Sequence, residues 1–153
     1  MGWFPQIDNR PHEIAMMIPQ IRTIIADDEP ADRDRLQYLL SGETGVELVA
    51  ECNEVAQTLQ AVRTQKPDLL VLDIQMQDAV QVLNPIAAEH LPLVILTSTD
   101  DHHAVKAFQV RALDYLLKPI SEKQIHSAIE RTRAREQEPG RRWRREREHR
   151  ERP

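Results

Sequence analysis

Leu69-Leu70-Val71-Leu72-Asp73 is the stretch on which the fold turns. Four aliphatic residues with no polar alternation describe a strand buried on both faces, the pattern of a parallel sheet covered by helices. A carboxylate ends the run. Two other segments share this design. Ile24-Ile25-Ala26 leads into Asp27-Asp28-Glu29-Pro30, and Tyr115-Leu116-Leu117 leads into Lys118-Pro119. A carboxylate pair, a lone carboxylate and a lysine thus stand where short apolar strands surface. Side by side, such strands gather these groups on one rim, which suits a divalent metal and a phosphoryl group.

Outward from there, the chain alternates between two periodicities. Ile21 to Ala26 reads as the first strand. Pro30 opens a helix at its first position, where a missing N–H costs little, and Leu36, Leu39 and Leu40 fall on one helical face. Gly42 and Gly45 bracket its end. Val46 to Cys52 is a second strand. Asn53 is expected to cap a helix over 54–65, whose Val55, Leu59 and Val62 recur at helical spacing, with Lys66-Pro67 as its stop.

Beyond Asp73 the pattern predicts a weak helix over 79–89, interrupted by Asn84-Pro85, and a fourth strand over 92–96. Asp100 or Asp101 caps a helix reaching Val110. Leu113 to Leu117 is the fifth strand. Ser121-Glu122-Lys123-Gln124 fits a capping box for a last helix to Arg135, with Ile125 and Ile129 inward. Five strands alternating with five helices imply an α/β fold, a parallel sheet covered on both faces with right-handed crossovers. Ligands of open sheets sit beyond the carboxyl ends of the strands, which draws Asp27, Asp28, Asp73, Thr97 and Lys118 to one site.

Composition sets the bounds. The length of 153 residues favours one domain. At 41% hydrophobic but 4% aromatic, the core must be aliphatic. Net charge is −5, unevenly spread: from Pro139 to Pro153 seven Arg face three Glu, so this tail carries +4 and the remainder −9. The single cysteine, Cys52, allows no internal disulfide and reads as a small core residue. No run approaches the roughly 18 apolar residues of a membrane span, and the N-terminus lacks a secretory pattern, so a cytoplasmic, reducing compartment is expected. Only four glycines are present and none forms a phosphate-cradling motif.

In Ala26-Asp27-Asp28-Glu29-Pro30, Leu72-Asp73-Ile74-Gln75-Met76, Thr97 and Ala112-Leu113-Asp114-Tyr115-Leu116-Leu117-Lys118-Pro119, the chain resembles response-regulator receiver domains, most closely the LytTR-type branch. The resemblance covers residues 21–135. It leaves 1–20 as an N-terminal extension, with Met16 and Met17 offering an alternative start, and 136–153 as a charged Arg-rich tail, a helical extension or disordered. It implies a flavodoxin-like doubly wound sheet of order 2-1-3-4-5. It implies Asp73 as phosphoacceptor for a sensor histidine kinase, aspartate being able to attack phosphorus. Mg²⁺ would be held by Asp27, Asp28, Asp73 and the Gln75 backbone carbonyl, Asp28 more directly than Asp27. Lys118 and Thr97 would bond phosphoryl oxygens, with Ser98 competing for the threonine's role. A cis bond before Pro119 is expected. Tyr115 would reorient as Thr97 moves, switching a fourth helix–fifth strand–fifth helix face that serves a partner or a homodimer; Val105, Ala107, Phe108, Val110 and Ala112 lie along it in sequence.

Two features depart from the family pattern. Met76 is followed by Gln77-Asp78-Ala79, without the usual Pro and Gly, and Asp73 and Thr97 are only 24 residues apart. This favours the alternative of a degenerate receiver, a phosphorylation-independent interaction module. In addition, a LytTR-type regulator carries a DNA-binding domain after its receiver, which 136–153 cannot form; a truncated transcriptional regulator is the other alternative. The tail's basic residues beside Trp143 suit nucleic-acid phosphates, but a solvated tail is the preferred reading, so no nucleic-acid or membrane partner is expected of this chain alone. An aspartyl phosphohydrolase of the haloacid-dehalogenase type would need a second Asp where Gln75 stands, so the chain is not expected to be an enzyme. His102-His103 read as surface residues of the fourth helix.

Overall fold

The computed structural model describes residues 18–83, 92–102 and 104–141, side chains at 106 and 108 excepted. Its strands are β1 (Ile21–Ala26), β2 (Val46–Cys52), β3 (Leu69–Asp73), β4 (Leu93–Ser98) and β5 (Asp114–Leu117). They pair in parallel in the order β2-β1-β3-β4-β5, as expected. The described helices are α1 (Pro30–Ser41), α2 (Val55–Gln65), α3 (Ala104–Gln109) and α4 (Glu122–Glu136). The last two are the predicted fourth and fifth helices. A helical turn begins at Val80, but most of the weak helix expected over 79–89, with Asn84-Pro85, lies outside the described residues, as do 1–17 and 142–153.

Alternation along each strand divides the core into two layers. Leu69 and Val71 of β3 join Ile21 and Ile25 of β1 against Leu36, Leu39 and Leu40 of α1 and Ile125, Ala128 and Ile129 of α4. Leu70 and Leu72 face the other way, with Ile24, Leu96, Cys52, Val82 and Leu83; Val55, Leu59 and Val62 of α2 pack there from the edge. Each fully buried Leu or Ile contributes about 1.5–3 kcal/mol. Both layers are aliphatic, as the composition required, and Cys52 is a core residue.

Local signals decide the element ends. Ser121 Oγ accepts the Gln124 N–H at 3.1 Å while Gln124 Oε1 accepts the Ser121 N–H at 2.9 Å, which closes the capping box of α4. At α2 the cap position falls on Glu54, without a side-chain cap, and Asn53 instead gives its backbone N–H to Gln57 Oε1 at 2.9 Å. Gly45 has φ of +79°, the left-handed region that favours glycine, in the turn before β2 that the Arg133 side chain of α4 approaches. β4 runs through Thr97 to Ser98, two residues past the predicted end, which brings Asp73 and Thr97 into register.

Candidate functional site

The order of the sheet makes β1 and β3 neighbours and puts β4 beside β3, so three strand ends meet at the carboxyl rim. Asp27 follows β1, Asp73 ends β3, and Thr97 is its register partner on β4. Lys118 follows β5, its backbone N–H donating to Ser98 O at 2.8 Å, and its bond to Pro119 is cis, as expected.

One ammonium stands at the centre. Lys118 Nζ lies 2.8 Å from Asp27 Oδ2, 2.7 Å from Asp32 Oδ2 and 3.1 Å from Asp73 Oδ2. The other oxygens of the two buried acids accept backbone donors: Asp27 Oδ1 takes the Glu29 N–H at 2.9 Å, and Asp73 Oδ1 takes the Gln75 N–H at 2.8 Å. Asp27 is fully buried and Asp73 nearly so, whereas Asp28 is exposed. Asp27, Asp28 and Asp73 offer carboxylate oxygens that all lie within 4.8 Å of one another.

Burial pushes the Asp27 carboxyl above the ordinary carboxylate range, and the nearby Asp73 charge adds to this; Lys118 and the Glu29 N–H pull only partly the other way. For Lys118 burial alone favours the neutral amine. The carboxylates of Asp27, Asp32 and Asp73 override it and lift its pKa above the usual lysine value. The ammonium is therefore fixed as a cation.

Thr97 is fully buried, and its Oγ1 is the one buried side-chain polar atom among the described residues without a hydrogen-bond partner. The neighbouring Ser98 Oγ already accepts the Asp100 N–H at 3.2 Å. Of the two hydroxyls, Thr97 is thus the one left open. Tyr115 is half-buried and its hydroxyl donates to the backbone carbonyl of Asp100 in the loop after β4.

Two residues that sequence reasoning missed, Asp32 and Arg33, and the side chain of Gln75 complete the site. Asp32 reaches Lys118 from the first turn of α1. Arg33 donates to the Asp27 carbonyl at 2.8 Å and ties α1 to the end of β1. The Gln75 side chain, not only its backbone, bridges two loops: Oε1 accepts the Thr99 N–H at 2.8 Å and the Thr99 hydroxyl at 2.9 Å, and Nε2 donates to Asp100 Oδ2 at 3.2 Å. The signal for Asp32 and Arg33 was their place one turn after the acidic pair. In the loop after Asp73, where the family pattern has glycine, Asp78 takes φ of +62°, a conformation that aspartate tolerates better than most residues. His102 lies in the turn before α3 rather than on the helix, highly exposed, with its N–H capped by Asp100 Oδ1 at 2.9 Å.

The chain is similar to known proteins in sequence and fold. A family model described as the response regulator receiver domain matches residues 23–130. The chain is similar to the transcriptional regulatory protein BtsR of Salmonella typhi, 39% identical over 115 residues that cover 74% of this chain and 48% of that protein. It is 40% identical over 114 residues to the sensory transduction protein LytT of Enterococcus faecalis, covering 72% of this chain and 47% of that one. The chain spans about half the length of the curated relatives it matches. The response regulatory domain of protein mrkE from Klebsiella pneumoniae has a TM-score of 0.70 at 29% identity, over 76% of this chain and 99% of that domain.

Proposed function

This chain belongs to the response regulator receiver domain family, and from that premise we propose that it is a phosphoacceptor switch, taking a phosphoryl group onto Asp73 from a sensor histidine kinase in the cytoplasm. The observation that carries this reading is the buried, unpartnered hydroxyl of Thr97, in register with Asp73. Burying a hydroxyl without a partner costs about 1–3 kcal/mol. That cost makes physical sense where an incoming oxygen will accept the hydrogen bond.

The donor set fits Mg²⁺: three carboxylates converge with oxygen ligands only, one of them open to solvent. Asp27, Asp28 and Asp73 would hold it, joined by the Gln75 backbone carbonyl, with the exposed Asp28 acting more directly than the buried Asp27. Bound there, the ion supplies positive charge against the oxygens of the transferring phosphoryl group.

The remaining chemistry belongs to the side chains. An Asp73 oxygen attacks phosphorus and forms an O–P bond. The P–N bond of the donor phosphohistidine breaks with its electron pair to the departing imidazole, which takes up a proton. Asp73 attacks as carboxylate, so no base is needed to activate it. Lys118 and Thr97 donate to the new phosphoryl oxygens. When Thr97 moves to do so, the loop carrying Asp100 shifts, and Tyr115, bonded to the Asp100 carbonyl, responds. The readout face is α3–β5–α4, where Val105 and Leu117 are exposed, Ala107 is buried, and Val110 and Ala112 are half-buried; a homodimer or other protein partner docks there. Gln75 offers no proton two residues after Asp73, which suits a switch rather than a turnover enzyme.

The similar BtsR of Salmonella typhi is a transcriptional regulatory protein. Residues 21–135 would supply the receiver portion of such a regulator, with no nucleic-acid contact assigned to them. The second reading, an interaction module that works without phosphorylation, is favoured by the loop after Asp73, which lacks the family's Pro and Gly. Intact mass measurement after incubating the full chain with acetyl phosphate and Mg²⁺ separates the two. One phosphoryl adduct is expected on wild type and none on Asp73→Asn. Equal adducts on both would overturn the site, and no adduct on either would select the second reading.

A further inference from the structure

We infer that Asp32 is a releasable restraint on Lys118, a positioning residue that sets how readily the site takes and keeps a phosphoryl group. This rests on Asp73 being the phosphoacceptor and extends that reading to a residue outside the strand-end set.

A lysine ammonium has three N–H donors, and Lys118 gives one each to Asp27, Asp32 and Asp73. A phosphoryl oxygen arriving on Asp73 needs such a donor, so one of the standing bonds must open. Burial decides which one. The Asp27 side chain has 0% exposure, and losing Lys118 would strand a carboxylate away from water. Asp73 is the group being modified. Asp32 is 36% exposed and can exchange the ammonium for solvent at little cost. It also comes from α1 rather than from a strand end, so it can release Lys118 without disturbing the sheet. Its bond at 2.7 Å is the shortest of the three. In the resting site Asp32 therefore draws the ammonium toward α1, and on phosphorylation it is the partner that lets go.

The reaction for the test is the transfer from acetyl phosphate: the Asp73–phosphoryl O–P bond forms, the acetyl O–P bond breaks, and acetate leaves with its electron pair. Asp32→Ala should phosphorylate about two- to fivefold faster and lose the phosphoryl group more slowly by a similar factor, the range expected for one partly exposed ion pair. Asp32→Asn should follow Asp32→Ala, and Asp32→Glu should return toward wild type. An acid in the first turn also suits the helix dipole. That role would change the melting temperature of the variants and leave phosphoryl kinetics unmoved, which would overturn the inference. Wild-type labelling on Asp73 with all three variants at the wild-type rate overturns it alone. Absence of wild-type labelling on Asp73 overturns the phosphoacceptor reading and this inference with it.

Discussion

At the amino-terminal rim of the sheet, the buried Asp68 accepts the Arg22 backbone N–H at 2.9 Å, its own N–H bonds the Arg22 carbonyl at 2.8 Å, and its carbonyl takes the Leu93 N–H at 2.9 Å. At the carboxyl rim, three carboxylates share one ammonium and a buried hydroxyl has no partner. Both rims bury acids, but the first stitches β1, β3 and β4 together with every bond made. The second holds an excess of negative charge and an open donor. Buried charge at the amino rim is thus there for stability, and at the carboxyl rim at the expense of it, which is the usual relation between a scaffold and its site.

That contrast can be attacked by mutation, the largest effect first. Lys118→Met removes the cation from the carboxyl-rim cluster and leaves Asp27 and Asp73 buried without it. Urea unfolding should show a loss of about 3–5 kcal/mol, the range for stripping one partner from a buried pair, shrinking as the pH falls and Asp27 protonates. Asp68→Ala takes an acceptor from the Arg22 N–H and should lower stability by about 2 kcal/mol in the same assay, while the folded protein still labels at the carboxyl rim.

Asp27→Asn should go the other way, gaining about 1 kcal/mol near neutral pH while impairing phosphoryl uptake. The sign follows from burial, which holds the Asp27 pKa above its ordinary 3.8. A raised carboxyl pKa stabilises the fold below the unfolded value, and that contribution is lost as pH rises through the folded value. The variant's advantage should therefore appear above the folded pKa of Asp27 and vanish toward acid pH. Destabilisation by Asp27→Asn at neutral pH as large as that of Asp68→Ala would erase the distinction between the rims.

The carboxyl rim was legible in sequence because strand ends are marked by where apolar runs stop, and a parallel sheet aligns those stops. Asp27, Asp73 and Lys118 follow from this, as does the capping box at Ser121. Asp32 did not, because its reach to Lys118 spans 86 positions and depends on how α1 lies across the end of β5. The Gln75 side chain was missed for a similar reason: its partners Thr99 and Asp100 sit in a different loop. Asn53 reads as a cap by residue type, yet the chain turns one residue later and Glu54 takes the cap position. By sequence Thr97 is the expected hydroxyl with Ser98 as its competitor; the hydrogen bonds separate the two, one occupied and one open.

Borohydride reduction converts an aspartyl phosphate to homoserine and leaves free carboxylates intact, so it reports the acceptor at residue level. Applied to the full chain after incubation with acetyl phosphate and Mg²⁺, followed by peptide mass mapping, it should place homoserine at position 73 and leave Asp27, Asp28 and Asp32 unreduced. Homoserine at any of those three, or an acid-stable phosphate on a hydroxyl residue in its place, would contradict the account.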